Sequence, residues 1–250
     1  MKRTLLILFG LLLAGFLAFR ALFGGQTVSW HQRLTITVET PLGEVSGAAV
    51  TAVRKVEWLG PWVLPDAQRV INTIKGEAVV VEVAPGRYLF ALLDGESGEG
   101  SWLRDAGHWV YAAYGLGQKS DRSYEASMRK LKSQSYNRPV PLPPEGWPLM
   151  VTFDDIADPT TVRRVDPADL AASFGPGVRL KAVTLEVTKA AVTEGKVEAV
   201  LGWWSKMRSG PLNEMTPLRL PNESPRGWNH LSALQFWSLD RVQEFNRSVK

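Results

Sequence analysis

The stretch FDDIADPTTVRRVDP, Phe153 to Pro167, carries Asp154, Asp155, Asp158 and Asp166, and the DDIAD within it has a DDxxD spacing. On a helix, residues four apart share a face, so such carboxylates could hold magnesium against a diphosphate, as all-helical diphosphate-handling enzymes do. The flanks point elsewhere. Val151, Thr152 and Phe153 come in strand-like order, Pro159 follows directly on Asp158, and a residue before proline is steered away from the helical region. The stretch is therefore expected as a strand end, where aspartates make local hydrogen bonds in turns. Arg163 and Arg164 stand near enough in sequence to pair with Asp154, Asp155 and Asp158 as a surface ion-pair cluster. A calcium site in an irregular loop is the other reading of the same three aspartates, without the EF-hand spacing of glycine and distal glutamate. Neither a metal nor a cofactor is expected.

Other chemistry finds little footing. The chain has no cysteine, which excludes disulfides, thiolate metal sites and cysteine nucleophiles, and its three histidines, His31, His108 and His230, stand far apart, so no HExxH pair exists. No GxSxG elbow, no phosphate-binding GxxxxGK[ST] loop and no GxGxxG after a strand are present. Glycoside hydrolysis needs only two suitably spaced carboxylates. Glu77, Glu82, Glu96 and Glu99 qualify by position, and none is assigned. Ten tryptophans are the unusual compositional feature. Trp58, Trp62, Trp203 and Trp204 fall where sheet and helix faces must meet, Trp30 beside His31 fits a membrane-interface belt, and Trp102 and Trp109, flanking a glycine-rich loop, are the candidate exposed binding aromatics.

Of 29 basic residues, Lys2, Arg3 and Arg20 lie in the first 25 positions, where there is no acid; from Gln26 onward 26 basic residues face 25 acidic ones, a net charge of +1. That balance gives no electrostatic reason to expect nucleic acid as a partner. One local excess, Lys119, Arg122, Arg129, Lys130, Lys132 and Arg138 against Asp121 and Glu125, reads as a solvated helix face that could also touch anionic envelope material.

The opening MKRTLLILFGLLLAGFLAFRALFGG begins with two cations and runs uncharged from Thr4 to Phe19. Signal cleavage wants small residues first and third before the cut. Ala18 in last place would put Phe16 third, and Ala21 would put Phe19 there, so a retained anchor is expected over secretion after cleavage. Sixteen residues at about 1.5 Å each reach about 24 Å, short of a roughly 30 Å hydrocarbon core. Ala21, Leu22 and Phe23 add a turn if Arg20 snorkels to the interface. Lys2 and Arg3 ahead of the span favour a cytoplasmic amino terminus and export of the rest. The predicted placement is single-pass in the inner membrane through residues 1–25. Gly10, Ala14 and Ala18, spaced by four, offer a seam for a homodimer.

Beyond the anchor, Leu34, Ile36 and Val38 alternate with polar residues, and a PLGE turn leads into a strand from Val45 to Trp58, so a hairpin is predicted. A second hairpin, GEAVVVEV to RYLFALLDGE, turns at Pro85-Gly86, and its apolar strands are expected to be central and covered on both faces. Ser123 to Gln134 reads as a short helix, and RPVPLPPEGWP, 138–148, as an extended connector. Strands follow at Leu149 to Phe153 and Val178 to Val187. Helices are predicted in VDPADLAASFG, capped by Asp166 or Thr161, and in TEGKVEAVLGWWSKM, capped by Thr193. The fold class is α+β: an N-terminal transmembrane helix followed by a mainly antiparallel β-sheet domain with a few short helices. Its divisions are 1–25 as anchor, 26–137 as β-rich region with a short helix, 138–148 as connector and 149–250 as mixed strand and helix.

The long stretch FDDIADPTTVRRVDPADLAASFGPGVRLKAVTLEVT, together with LTITVETPLGEVSGAAV and its SGxxV after the hairpin turn, resembles uncharacterised single-pass, membrane-anchored bacterial proteins without assigned activity. The resemblance implies a place in the envelope and no chemistry. The functional expectation is a non-enzymatic envelope binding or assembly module whose partner is another envelope protein or cell-wall glycan. The alternative is an envelope hydrolase acting on glycan or peptide through a carboxylate pair.

Overall fold

Alternation along the first predicted strand sets the architecture. In β1 (Gln26–Thr40) the side chains of Trp30, Gln32, Leu34, Ile36 and Val38 are buried and those between them are not, the two-residue period of a strand with one face on a core. The computed structural model describes residues 9–10, 12–16, 26–58, 69–93, 106–116, 131, 133, 137–203, 218–219 and 230–231. By internal contacts the chain forms two units, Met1–Ser29 with Arg54–Thr73, and Trp30–Val53 with Ile74–Lys250. In the first, residues 9–10 and 12–16 are helical. Among the described residues no helix is long and apolar enough to cross a membrane, and the expected span over 1–25 is described only at those seven positions.

A five-stranded sheet has the order β3-β2-β1-β9-β6, with β2 at Gly43–Trp58, β3 at Arg69–Lys75, β6 at Val140–Pro141 and β9 at Arg179–Thr188. The first hairpin is as its alternation and its PLGE turn require, closed by the Thr40 hydroxyl donating to the Gly43 carbonyl at 2.8 Å. β1 runs antiparallel to β9, His31 opposite Thr188 and Leu34 opposite Leu185, with a bulge between Thr37 and Val38. The proline-rich stretch packs along this sheet. β6 pairs with β9 at the sheet edge, where a proline's missing N–H leaves no gap in a ladder, and Leu142 behind it is buried, its carbonyl accepting from the Trp147 indole at 2.8 Å.

The second sheet has the order β4-β5-β7-β8: β4 is Val79–Ala84, β5 Arg87–Ala91, β7 Met150–Phe153 and β8 Val162–Arg164, all neighbours antiparallel. The Pro85-Gly86 turn joins β4 to β5, with Gly86 at φ 71°, a conformation glycine takes at no steric cost. The expectation that both strands are central needs correction. Leu89, Phe90 and Ala91 of β5 are all buried, as a strand covered on both faces must be, whereas β4 is outermost and alternates, with Glu82 exposed. Two further strands, β10 (Leu218–Arg219) and β11 (His230–Leu231), pair with each other.

The helices are short. α1 is Trp109–Tyr114, α2 Leu170–Phe174 and α3 Lys196–Val200. The cap of α2 is Asp169, whose carboxylate accepts from the Ala172 N–H, rather than Asp166 or Thr161; Asp166 is occupied one turn earlier, accepting from Ala168 N. Likewise Thr193 does not cap α3. Its hydroxyl accepts from Val50 N in β2 at 2.8 Å, and the helix begins only at Lys196, after Gly195. The predicted helix over 123–134 lies outside the described residues apart from Leu131 and Ser133. One apolar cluster joins Ala78, Phe90, Leu92, Leu149, Val151, Phe153 and Val162 to Val197 and Leu201 of the α3 segment.

Candidate functional site

The acidic stretch sits at the end of β7. Phe153 pairs with Val162 of β8, so residues 154–161 form the connection between two antiparallel neighbours. Asp154 receives the Arg163 guanidinium at 2.7 Å, and both side chains are substantially exposed. Asp155 accepts from Ala157 N at 2.9 Å, the bond of an aspartate turn. Asp158 caps the 3-10 turn Pro159–Thr161, its Oδ1 taking the Thr160 N–H at 2.8 Å and the Thr160 hydroxyl at 2.7 Å. Those two donors hold the Asp158 carboxyl below its ordinary range, because they stabilise the charged form. The Thr161 hydroxyl lies within hydrogen-bond distance of the Asp155 and Asp158 carbonyls. Each of the three carboxylates thus serves the loop's own backbone or a neighbouring arginine. Among the described residues no three His, Cys, Asp or Glu side chains gather as a group that could hold a metal ion.

The aromatic candidates separate. Trp102 lies outside the described residues. Trp109, expected as an exposed binding aromatic, is 1% exposed. It opens α1, which packs on β6, β9 and the Pro144–Gly146 turn, so the ring that local sequence places beside a glycine-rich loop is turned inward by elements more than thirty residues away. Trp30 is also enclosed, donating its indole N–H to Gln32 Oε1 at 2.9 Å, and Gln32 in turn donates to the Ala106 carbonyl, which leads into α1. The expected interfacial placement of Trp30 therefore gives way to a buried polar chain linking β1 to the start of α1. Trp203, half-buried, packs against the apolar cluster. It stands edge-on to Phe153 at 5.7 Å and donates to the Ile156 carbonyl at 2.7 Å, tying the α3 segment to the acidic connection.

Of the carboxylates offered by position, Glu96 and Glu99 lie outside the described residues. Glu82, exposed, accepts from Gly86 N at 3.0 Å across its own hairpin. Glu77 has the most unusual setting. It lies between β3 and β4, is 2% exposed, and accepts Lys196 N on one oxygen at 3.0 Å and Val197 N on the other at 3.3 Å. The first turn of α3, which lacks a side-chain cap of its own, is capped by a residue 119 positions away. Burial pushes the Glu77 carboxyl up; the N–H groups of Lys196, Val197 and Gly195 pull it down by less, and Glu198 adds a like charge. Local reading passes over this residue because its partners are set by the tertiary fold. The one signal is an acid placed between Gly76 and Ala78 at the head of an apolar run.

Compared with family models, with curated proteins and with solved structures, the chain gives no match.

Proposed function

We propose that the chain is a single-pass inner-membrane protein whose exported β-rich part acts as a non-enzymatic binding or assembly module in the envelope, its partner another envelope protein or cell-wall glycan. The observation that carries the reading is at the amino terminus: on the helical residues 9–10 and 12–16, Phe9, Leu12, Leu13 and Phe16 are 65%, 72%, 48% and 59% exposed. Large apolar side chains presented together on a helix call for a non-aqueous surround. The charge arrangement around them, Lys2 and Arg3 before and Arg20 alone after, favours a cytoplasmic amino terminus. Gly10, Ala14 and Ala18 would let two such helices approach closely.

The absence of an enzymatic role in this reading is supported by how the acids are used. Asp154, Asp155, Asp158 and Glu77 are each engaged with a structural partner. The test is to incubate the full-length chain, purified in detergent micelles, with isolated cell-wall sacculi and follow both sedimentation and released fragments. Retention without fragments is expected for a wall-binding module. Released fragments that disappear on substitution of one carboxylate, with folding retained, would overturn the reading in favour of a hydrolase. Neither retention nor fragments directs the module to a protein partner, to be captured by crosslinking in intact membranes.

A further inference from the structure

Residues 193–203 form a strap fastened at several points. Thr193 exchanges hydrogen bonds with Val50, its N–H donating to the Val50 carbonyl at 3.0 Å and its hydroxyl accepting from Val50 N at 2.8 Å. Lys196 extends its ammonium to the Ala48 carbonyl at 3.1 Å. Val197 and Leu201 enter the apolar cluster with Phe90 and Phe153, and Trp203 closes on Phe153 and the Ile156 carbonyl. At the head of α3 both oxygens of Glu77 receive backbone N–H groups. The Lys196 ammonium stays charged through neutral pH, so of these fastenings Glu77 is the one whose charge can change between about pH 5 and about pH 8.

The groups around Glu77 decide how its charge acts. On α3 the charged neighbours are Lys196, whose ammonium is turned to Ala48, and Glu198, a like charge that acts against ionisation. From β2, Val50 and Thr51 approach the adjoining Gly76, and both are uncharged. Lys75 and Glu82, on β3 and β4, are exposed. The ionised carboxylate therefore loses its hydration on closure and receives neutral N–H donors in return, whereas the protonated carboxyl loses much less.

We propose that Glu77 is a proton-linked clasp: its protonated form holds residues 193–203 most firmly against the four-stranded sheet, and its ionisation makes the strap easier to lift. The sign follows from linkage. Burial raises the carboxyl in the closed strap above the value it has when the strap is lifted and hydrated, so closure takes up a proton. The added hold is complete below the ordinary carboxylate range and is lost as pH rises through the raised value. Lifting would uncover the apolar faces of Phe90, Phe153, Val197 and Leu201, which makes the clasp a control on how much apolar surface this region presents. The inference does not depend on the membrane reading above.

The experiment is amide hydrogen exchange on the full-length chain in detergent micelles, from about pH 5 to about pH 8. Opening constants are taken at Ala199 and Leu201, whose N–H groups bond to Gly195 and Val197, with Leu185 and Val187 of β9 as reference. After division by the intrinsic rates, opening of the α3 amides should rise about three- to tenfold with pH while the β9 amides stay level, and Glu77→Gln should flatten the rise. If Glu77→Gln does not fold, Glu198→Gln serves, because removing the like charge should shrink the rise. A rise shared equally by β9, a rise untouched by these substitutions, or no rise in the unaltered chain would overturn the proposal.

Discussion

At the scale of single residues, Gly47 shows how closely this fold brings one backbone to another. A Cβ built on it would stand 2.1 Å from the Val80 carbonyl oxygen and 2.9 Å from Val81 Cγ2, so the position needs a glycine for space. Gly47→Ala should cost about 1–3 kcal/mol, seen as a lower urea midpoint with an unchanged slope. Trp109→Ala should cost about 3–5 kcal/mol in the same assay, since the ring is a core element and its loss leaves a large cavity. Asp158 gives a pH signature. Its carboxyl is lowered by the Thr160 N–H and hydroxyl, so the stabilisation it supplies is present above the ordinary carboxylate range and lost as pH falls through the lowered value. Thermal unfolding followed through acid should therefore show a drop that is smaller in Asp158→Asn than in the unaltered chain. The role of Asp158 was legible in sequence because Pro159 steers the residue before it out of the helical region and into a turn. That of Trp109 was not, because its burial depends on β6 and β9, which local sequence does not bring near.

At the scale of elements, what could be read was whatever the chain decides locally. Strand alternation over Leu34 to Val38 and the Pro85-Gly86 turn each carry their own geometry, and both hairpins stand where those signals put them. Gly86→Ala should destabilise by about 1–2 kcal/mol, the cost of a left-handed backbone for a residue with a Cβ, measured by denaturant unfolding. The helix starts were harder to place because several capping residues compete. In VDPADLAASFG both Asp166 and Asp169 can accept a backbone N–H, and the fold uses the first for a turn and the second for the cap. At α3 the residue with capping chemistry, Thr193, is drawn to β2, and a glutamate from the β3–β4 junction takes its place. A hydrogen bond spanning 119 positions leaves no pattern in a window of ten or twenty residues.

At the scale of the whole chain, mainly antiparallel sheets with a few short helices is the architecture that the alternating segments predicted, and the α+β class rests on it. The proline-rich stretch 138–148, read as an extended connector, is extended at Val140–Pro141 and on either side of a 3-10 turn at Pro144–Gly146 that interrupts it, while its packing along β9 depends on a sheet built from residues far from it. The proposed function turns on the first 25 residues. The measurement that tests it most directly follows the full-length chain, tagged at its carboxy terminus, in cells converted to spheroplasts. Its readouts are resistance to alkaline carbonate extraction and cleavage of the tag by added protease. The account predicts a chain that stays with the membrane through the wash and a tag that protease removes without lysis. A chain released by carbonate, or a tag protected until the cells are lysed, would contradict it.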